Sequence, residues 1–167
     1  NINYFVFSHD GENLNELSIS EKSRTGFAVG DLNGNDYDDV AFGTDDNNLY
    51  LINDNFQIAE GFPFQADNKF QLSPIMLSLP HKDIIVAPCK NKTLYAIQDN
   101  GNLDFSILFD DYISTSPSVL VHDEQALIFI GLNNGDIYAV SDEGEIVFDF
   151  NISSKVVGSI TFADIND

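Results

Sequence analysis

Apolar residues along the chain fall in short bursts separated by polar turns, and the bursts recur. Four segments share one pattern: "NYFVFSHDGENLNELSI" from Asn3, "LYLINDNFQIAEGFPF" from Leu49, "LYAIQDNGNLDFSILF" from Leu94 and "IYAVSDEGEIVFDF" from Ile137. Each reads as a strand, a turn rich in Asp, Asn and Gly, and a second strand. Val, Ile, Phe and Tyr suit a pleated, half-buried surface, and Asn-Gly- or Asp-Gly-like pairs suit tight hairpins. Tyr4, Tyr50, Tyr95 and Tyr138 are separated by 46, 45 and 43 residues. That spacing is an internal repeat.

Further strands recur in the same phase. "DVAFGT" from Asp39, "DIIVAPC" from Asp83 and "LIFIGL" from Leu127 precede three of the tyrosine strands. Before those come "TGFAVGD" from Thr25, "SPIMLSL" from Ser73, "SPSVLVH" from Ser116 and "GSITFAD" from Gly158. Four short strands per roughly 43 residues is the rhythm of a β-propeller blade. The nearly continuous apolar runs predict inner strands covered on both faces by neighbouring blades. No run at helical period exceeds about two turns, so the expected class is all-β. A β-sandwich has similar strand spacing but does not explain four copies of one unit.

The repeat phase divides the chain into a partial blade at 1–24, blades at 25–69, 70–113 and 114–155, and the start of another at 156–167. This predicts a partial β-propeller of about four blades of four-stranded antiparallel sheet. A lone arc of blades exposes long hydrophobic edges. The expectation is therefore a fragment of a larger propeller, or an assembly in which a second chain closes the ring.

Composition narrows the partners. The chain has 167 residues, 43% of them hydrophobic, which allows one domain with a sizeable core. Seven basic residues against 27 acidic ones give a formal charge of -20. Such a surface repels phosphate backbones and anionic membranes and favours cations, so no nucleic acid is expected as a partner. No run of 18 apolar residues occurs, so no membrane insertion is expected. Cys89 is the single cysteine, which rules out an intrachain disulfide. The sequence starts at Asn1 without a basic-then-apolar leader and reads as a mature or excised piece.

The densest polar stretch is "VGDLNGNDYDDVAFG" at 29–43, which the repeat phase makes the loop between the first two strands of a blade. Asp31, Asn33, Asn35 and Asp39 place side-chain oxygens at alternating positions, and Tyr37 offers its carbonyl. Calcium takes six to eight oxygens from a short, sharply curved loop, so this set is the candidate metal site. The other reading is an Asx-rich turn held by side-chain to backbone hydrogen bonds without metal.

On these residues the segment resembles the calcium-binding FG-GAP or VCBS-type propeller repeats of integrin α-chains and many bacterial surface proteins. "FADIND" at 162–167 looks like the start of a second copy, with Asp164 and Asn166 matching Asp31 and Asn33. Blades without the loop, such as "GLNNGDIYAVSDEGEIVFDF", are similar to pyrroloquinoline-quinone-like propeller repeats. The resemblance implies a propeller fold and a calcium cofactor. It also implies Gly at the sixth loop position, for a positive φ, where this chain has Asp36. Asp tolerates that conformation better than most residues.

Other candidates carry less chemistry. His9, His81 and His122 fall at different repeat phases and read as loop residues. Cys89 lies close to the phase of Gly43 and Gly131 and reads as a small packing residue. Asp45–Asp46 and Asp110–Asp111 sit in predicted turns, whereas glycosidase chemistry needs carboxylates converging across a sugar. "GFPF" at 61–64 reads as inter-blade packing. The absence of Trp argues against the Trp-bearing quinone dehydrogenases. No catalytic constellation stands out. The function expected is a non-catalytic binding or adhesion module, extracellular, at the cell surface or periplasmic, with a protein or glycan ligand. The competing class is the propeller portion of a secreted enzyme, a polysaccharide lyase or quinone-dependent dehydrogenase, whose catalytic groups lie outside this chain.

Overall fold

The computed structural model describes residues 2–163. Alternation at period two writes fourteen strands, grouped in four antiparallel sheets. The first sheet pairs β1 (Ile2–Phe7) with β2 (Asn13–Ile19). The second runs β3 (Ala28–Gly30), β4 (Asp39–Gly43), β5 (Asn48–Ile52) and β6 (Phe64–Gln65). The third runs β7 (Ile75–Leu79), β8 (Lys82–Pro88), β9 (Thr93–Gln98) and β10 (Leu103–Leu108). The fourth runs β11 (Ser118–His122), β12 (Gln125–Gly131), β13 (Asp136–Ser141) and β14 (Ile146–Asn151). Each four-stranded sheet is a meander of sequential neighbours, the arrangement of a propeller blade. The fold is a partial β-propeller.

The second strand of each blade explains the core. In β8, Ile84 and Val86 point to one neighbouring blade and join Leu94, Ile128 and Ile130, while Ile85 and Ala87 point to the other and join Leu49, Leu51 and Phe70. Opposite faces of one strand thus serve two interfaces, which is why an almost uninterrupted apolar run is needed there. The outermost strand β14 is exposed throughout.

Connections between blades cap the preceding blade. Phe70, 1% exposed, lies on Gly43, where an added Cβ would come within 2.2 Å of the Phe70 Cβ. Val156 covers Gly131 in the same manner. The isolated bridges Ser23–Thr44, Phe70–Cys89 and Ile113–Leu132 put Pro88, not Cys89, at the repeat position of Gly43 and Gly131. Cys89 is buried and its Sγ lies 3.0 Å from the Asn68 carbonyl; burial pushes its thiol up.

Two elements differ from the sequence pattern. The "GFPF" segment leaves β6 only two residues long, because Pro63 has no N–H to give the ladder. Phe62 and Phe64 instead pack against the cluster holding Tyr95. The segment 158–163, expected as a first strand, carries no strand pairing. A first strand takes its ladder from the second strand of its own blade, and none lies beside it among the described residues. Phe162 packs on Phe129, with ring centroids 4.7 Å apart.

Candidate metal centre and the clusters around it

Leu32, 1% exposed, pins the loop between β3 and β4 into the core, while the polar residues at 33–38 stay exposed and bond the loop's own backbone. Asp31 Oδ1 accepts the amides of Gly34 at 2.8 Å and Asn35 at 3.1 Å, and its Oδ2 accepts the Asp36 amide at 2.8 Å. Asn33 Oδ1 accepts the Asn35 amide at 3.1 Å, and Asn35 Oδ1 accepts the Tyr37 amide at 2.9 Å. Asp36 has φ 67°, the left-handed conformation that the resemblance places at this position.

Asp39 opens β4 from the floor of the loop and is 1% exposed. Its Oδ2 accepts the Leu32 amide at 3.2 Å and the Asn33 amide group at 3.4 Å, while its buried Oδ1 meets no donor in hydrogen-bonding geometry. Burial pushes the Asp39 carboxyl up, and the charges of Asp31 and Asp54 add to the effect, against the backbone amides of Leu32 and, more weakly, Asp54. Asp54, in the turn after β5, is a neighbour that sequence spacing does not reveal.

Four of the five predicted ligands, Asp31, Asn33, Asn35 and Asp39, are therefore linked in one network, with Tyr37 joined through its amide and its side chain 65% exposed. The oxygens of Asp31, Asn33 and Asn35 are engaged on amides, as in an Asx-rich turn. The unpartnered Asp39 oxygen, under the negative charge of Asp31 and Asp54, suits a hard, oxygen-preferring cation, although the three carboxylates do not converge within 4.8 Å of one another. Asp164 and Asn166 lie outside the described residues.

A second polar cluster links the third and fourth sheets. His81, in the turn before β8, places Nε2 2.6 Å from Asp142 Oδ2 and 3.7 Å from Glu143 Oε1. Asp142 Oδ1 accepts the Ala126 amide at 3.3 Å. Burial opposes ionisation of Asp142, but the bonds from His81 and Ala126 outweigh it and hold the carboxyl below the usual range. Lys82 Nζ contacts Glu143 at 3.0 Å and Asp104 at 3.1 Å and donates to the Asp142 carbonyl at 3.0 Å. The repeat phase alone makes His81 an isolated loop residue, since its partners lie a blade away. His122 lies 3.3 Å from Asp123 and both are fully in solvent.

The carboxylate pairs also resolve. Asp45 takes Arg24 at 2.6 Å and Lys69 at 3.4 Å, joining two inter-blade connections. The Arg24 hydrogen bond, ahead of that of Lys69, holds its carboxyl below the usual range. Asp46 accepts the Ser20 hydroxyl at 2.9 Å and the Thr44 hydroxyl at 2.5 Å.

No family model and no curated protein matches the chain, so its likeness to calcium-binding repeats rests on the loop itself. Solved structures do match. The crystal structure of BamB from Moraxella catarrhalis is 14% identical with a TM-score of 0.64, over 81% of this chain and 39% of that one. BBS1N in complex with ARL6DN matches in a mercury-soaked crystal at 15% identity and TM-score 0.69, over 92% of this chain and 48% of that one. In a lead-soaked crystal it matches at 15% identity and TM-score 0.70, over 87% and 42%. The chain spans less than half the length of these relatives, and what it shares with them is the fold.

Proposed function

We propose that the chain is a non-catalytic binding module whose β3–β4 loop is stiffened by calcium, acting outside the cell or at its surface. The observation that carries the reading is Asp39, a buried carboxylate with one oxygen outside hydrogen-bonding geometry to any donor, at the base of a loop of side-chain oxygens. Asp31, Asn33, Asn35 and the Tyr37 carbonyl would complete the ligand set, which is the FG-GAP or VCBS pattern. Two of these ligands are neutral amides, which lowers affinity toward the about 10⁻⁴–10⁻³ M range of extracellular calcium modules. Such a site fills where calcium is abundant, which supports the location proposed. The binding role is supported by the exposed loop ends of the blades and by the propeller neighbour recorded in complex with ARL6DN.

Thermal unfolding in graded calcium tests it. Saturation at millimolar calcium with a rise in Tm, and none with magnesium, is expected, because a ligand bound only by the native state stabilises it by mass action. An unchanged Tm up to 10-fold above the about 10⁻³ M upper bound rules the site out.

A further inference from the structure

Strand direction sorts the charge. In every blade the second-to-third turn and the connection to the next blade lie at one end of the strands, as shown by hydrogen bonds from Asp45 N to Lys22 O, Lys90 N to Lys69 O and Asn133 N to Tyr112 O. Six of the seven basic residues, Lys22, Arg24, Lys69, Lys90, Lys92 and Lys155, sit at that end. The other end, where the metal loop lies, carries Lys82 alone amid many acids.

Those same hydrogen bonds align the repeats. Asp45, Lys90 and Asn133 occupy one position in successive blades. Lys69, Tyr112 and Lys155 occupy another, the residue before the plug that covers the preceding blade. In the first complete blade the two positions meet as the ion pair Asp45–Lys69, with Arg24 on the same carboxylate. In the third, Asn133 replaces the acid while Lys155 keeps the base. In the second, Lys90 replaces the acid and adds a base. Neither Lys90 nor Lys155 forms an ion pair among the described residues.

Both lysines line one cavity of about 450 Å³. Gln71, Tyr112, Ser114 and Asn133 supply its polar wall, Leu72 and Ile113 an apolar one, and no carboxylate lines it. Lys92, which donates to the Asp110 carbonyl at 2.7 Å, stands 5.2 Å from the centre of the Tyr112 ring and adds positive potential at the rim. In a chain of formal charge -20, Lys90 and Lys155 are lysines free of a carboxylate partner among the described residues, although Asp67 lies near enough to act on the lining residue Cys89.

We propose that this cavity binds an acidic sugar. Its carboxylate pairs with Lys90 and Lys155, the two cavity lysines that have no carboxylate partner among the described residues. Its hydroxyls face Gln71, Ser114 and Asn133, and its apolar ring face lies along Leu72 and Ile113. Amide and hydroxyl side chains beside an apolar wall suit a hydroxylated ring better than the bare side chain of an acidic peptide. The inference rests on the reading of the chain as a binding module, but not on the calcium loop at the opposite strand end.

Isothermal titration of EDTA-treated protein with glucuronate, glucose and N-acetyl-aspartate amide tests it. Glucuronate is expected to bind at least tenfold more tightly than the other two. Lys90→Gln with Lys155→Gln weakens it at least tenfold, while Lys22→Gln on the same face leaves it unchanged. Equal binding of glucose and glucuronate, no binding of either, or indifference to the double substitution overturns the proposal. Tighter binding of the aspartate probe overturns the sugar assignment in favour of a peptide acid. If the double variant unfolds, the glucose and glucuronate comparison on the unaltered chain still decides. Glucuronate binding without any calcium effect on Tm removes the calcium reading alone.

Discussion

Asp39 and Leu32 face each other across the mouth of one loop: the Leu32 amide donates to Asp39 Oδ2 at 3.2 Å, and Leu32 carries the loop into the core. The other Asp39 oxygen, buried and outside hydrogen-bonding geometry to any donor, makes this aspartate costly in the absence of a cation. Its pKa is raised in the fold. The stability it contributes is therefore full below the unfolded value of about 3.9 and is lost as pH rises through the higher folded value. In calcium-free buffer Asp39→Asn is expected to remove that pH slope and to raise stability at pH 7 by about 1 kcal/mol. It is also expected to abolish the calcium response. Urea unfolding from pH 3 to 8 measures the first effect, and a less stable variant at pH 7 contradicts it.

Asp142 has the opposite sign. His81 and the Ala126 amide hold its carboxyl low, so its contribution is present above the unfolded value of about 3.9 and fades as pH falls through the folded one. Asp142→Asn keeps an acceptor for Ala126 and loses the charge facing His81. The expected cost is about 1–2 kcal/mol at pH 7, shrinking only below about pH 4. Equilibrium unfolding of both proteins at pH 7 and pH 3 gives the comparison.

Gly61 and Gly101 meet backbone to backbone where the outer turns of adjacent blades touch. A Cβ on Gly61 would fall 2.0 Å from the Asn100 carbonyl oxygen, and its φ is +84°. Gly61→Ala combines left-handed strain with a backbone clash and is expected to cost about 3 kcal/mol or more. Gly11 has a similar φ of +89° with nothing within 4 Å, so Gly11→Ala bears the conformational cost alone, about 1 kcal/mol. Equal Tm losses in the two variants would show that the inter-blade contact is not formed.

A groove lined by Tyr4, Phe5, Phe27, Val29 and Phe42 lies between the two-stranded sheet and the first full blade. Phe27 is 54% and Val29 61% exposed. An apolar patch of this kind binds hydrophobic dyes and promotes association. The chain is expected to enhance ANS fluorescence, and Phe27→Glu with Val29→Glu to suppress it at a stability cost of about 1–2 kcal/mol, since Phe27 packs edge-on against Phe42 at 5.2 Å. Dye titration with sedimentation of both forms provides the readout.

Much of the architecture was legible because a blade is a local object. Its strands are sequential neighbours, so alternation, turn pairs and the tyrosine spacing carry nearly all of its information. The conformation of the β3–β4 loop was legible for the same reason, since 31–39 is contiguous and Asp36 takes the positive φ the resemblance asks for. Contacts between repeats carry no such signature. His81 meets Asp142 across 61 residues, and Lys90 and Lys155 share a cavity only because successive connections stack at one strand end. Asp54 comes beside Asp39 through the turn of another strand pair. Such pairs have no periodic signature and appear only once the sheets are stacked.

Phe70 belongs by sequence to the second full blade, yet it plugs the first, and Val156 does the same for the third. The natural joints of this chain therefore lie one connection downstream of its sequence period. A cut at a repeat boundary removes a stopper from the blade left behind, whereas a cut just after Phe70 or Val156 leaves that blade sealed. Truncations, circular permutations and consensus arrays built from this chain will hold together when they respect the plug rather than the period.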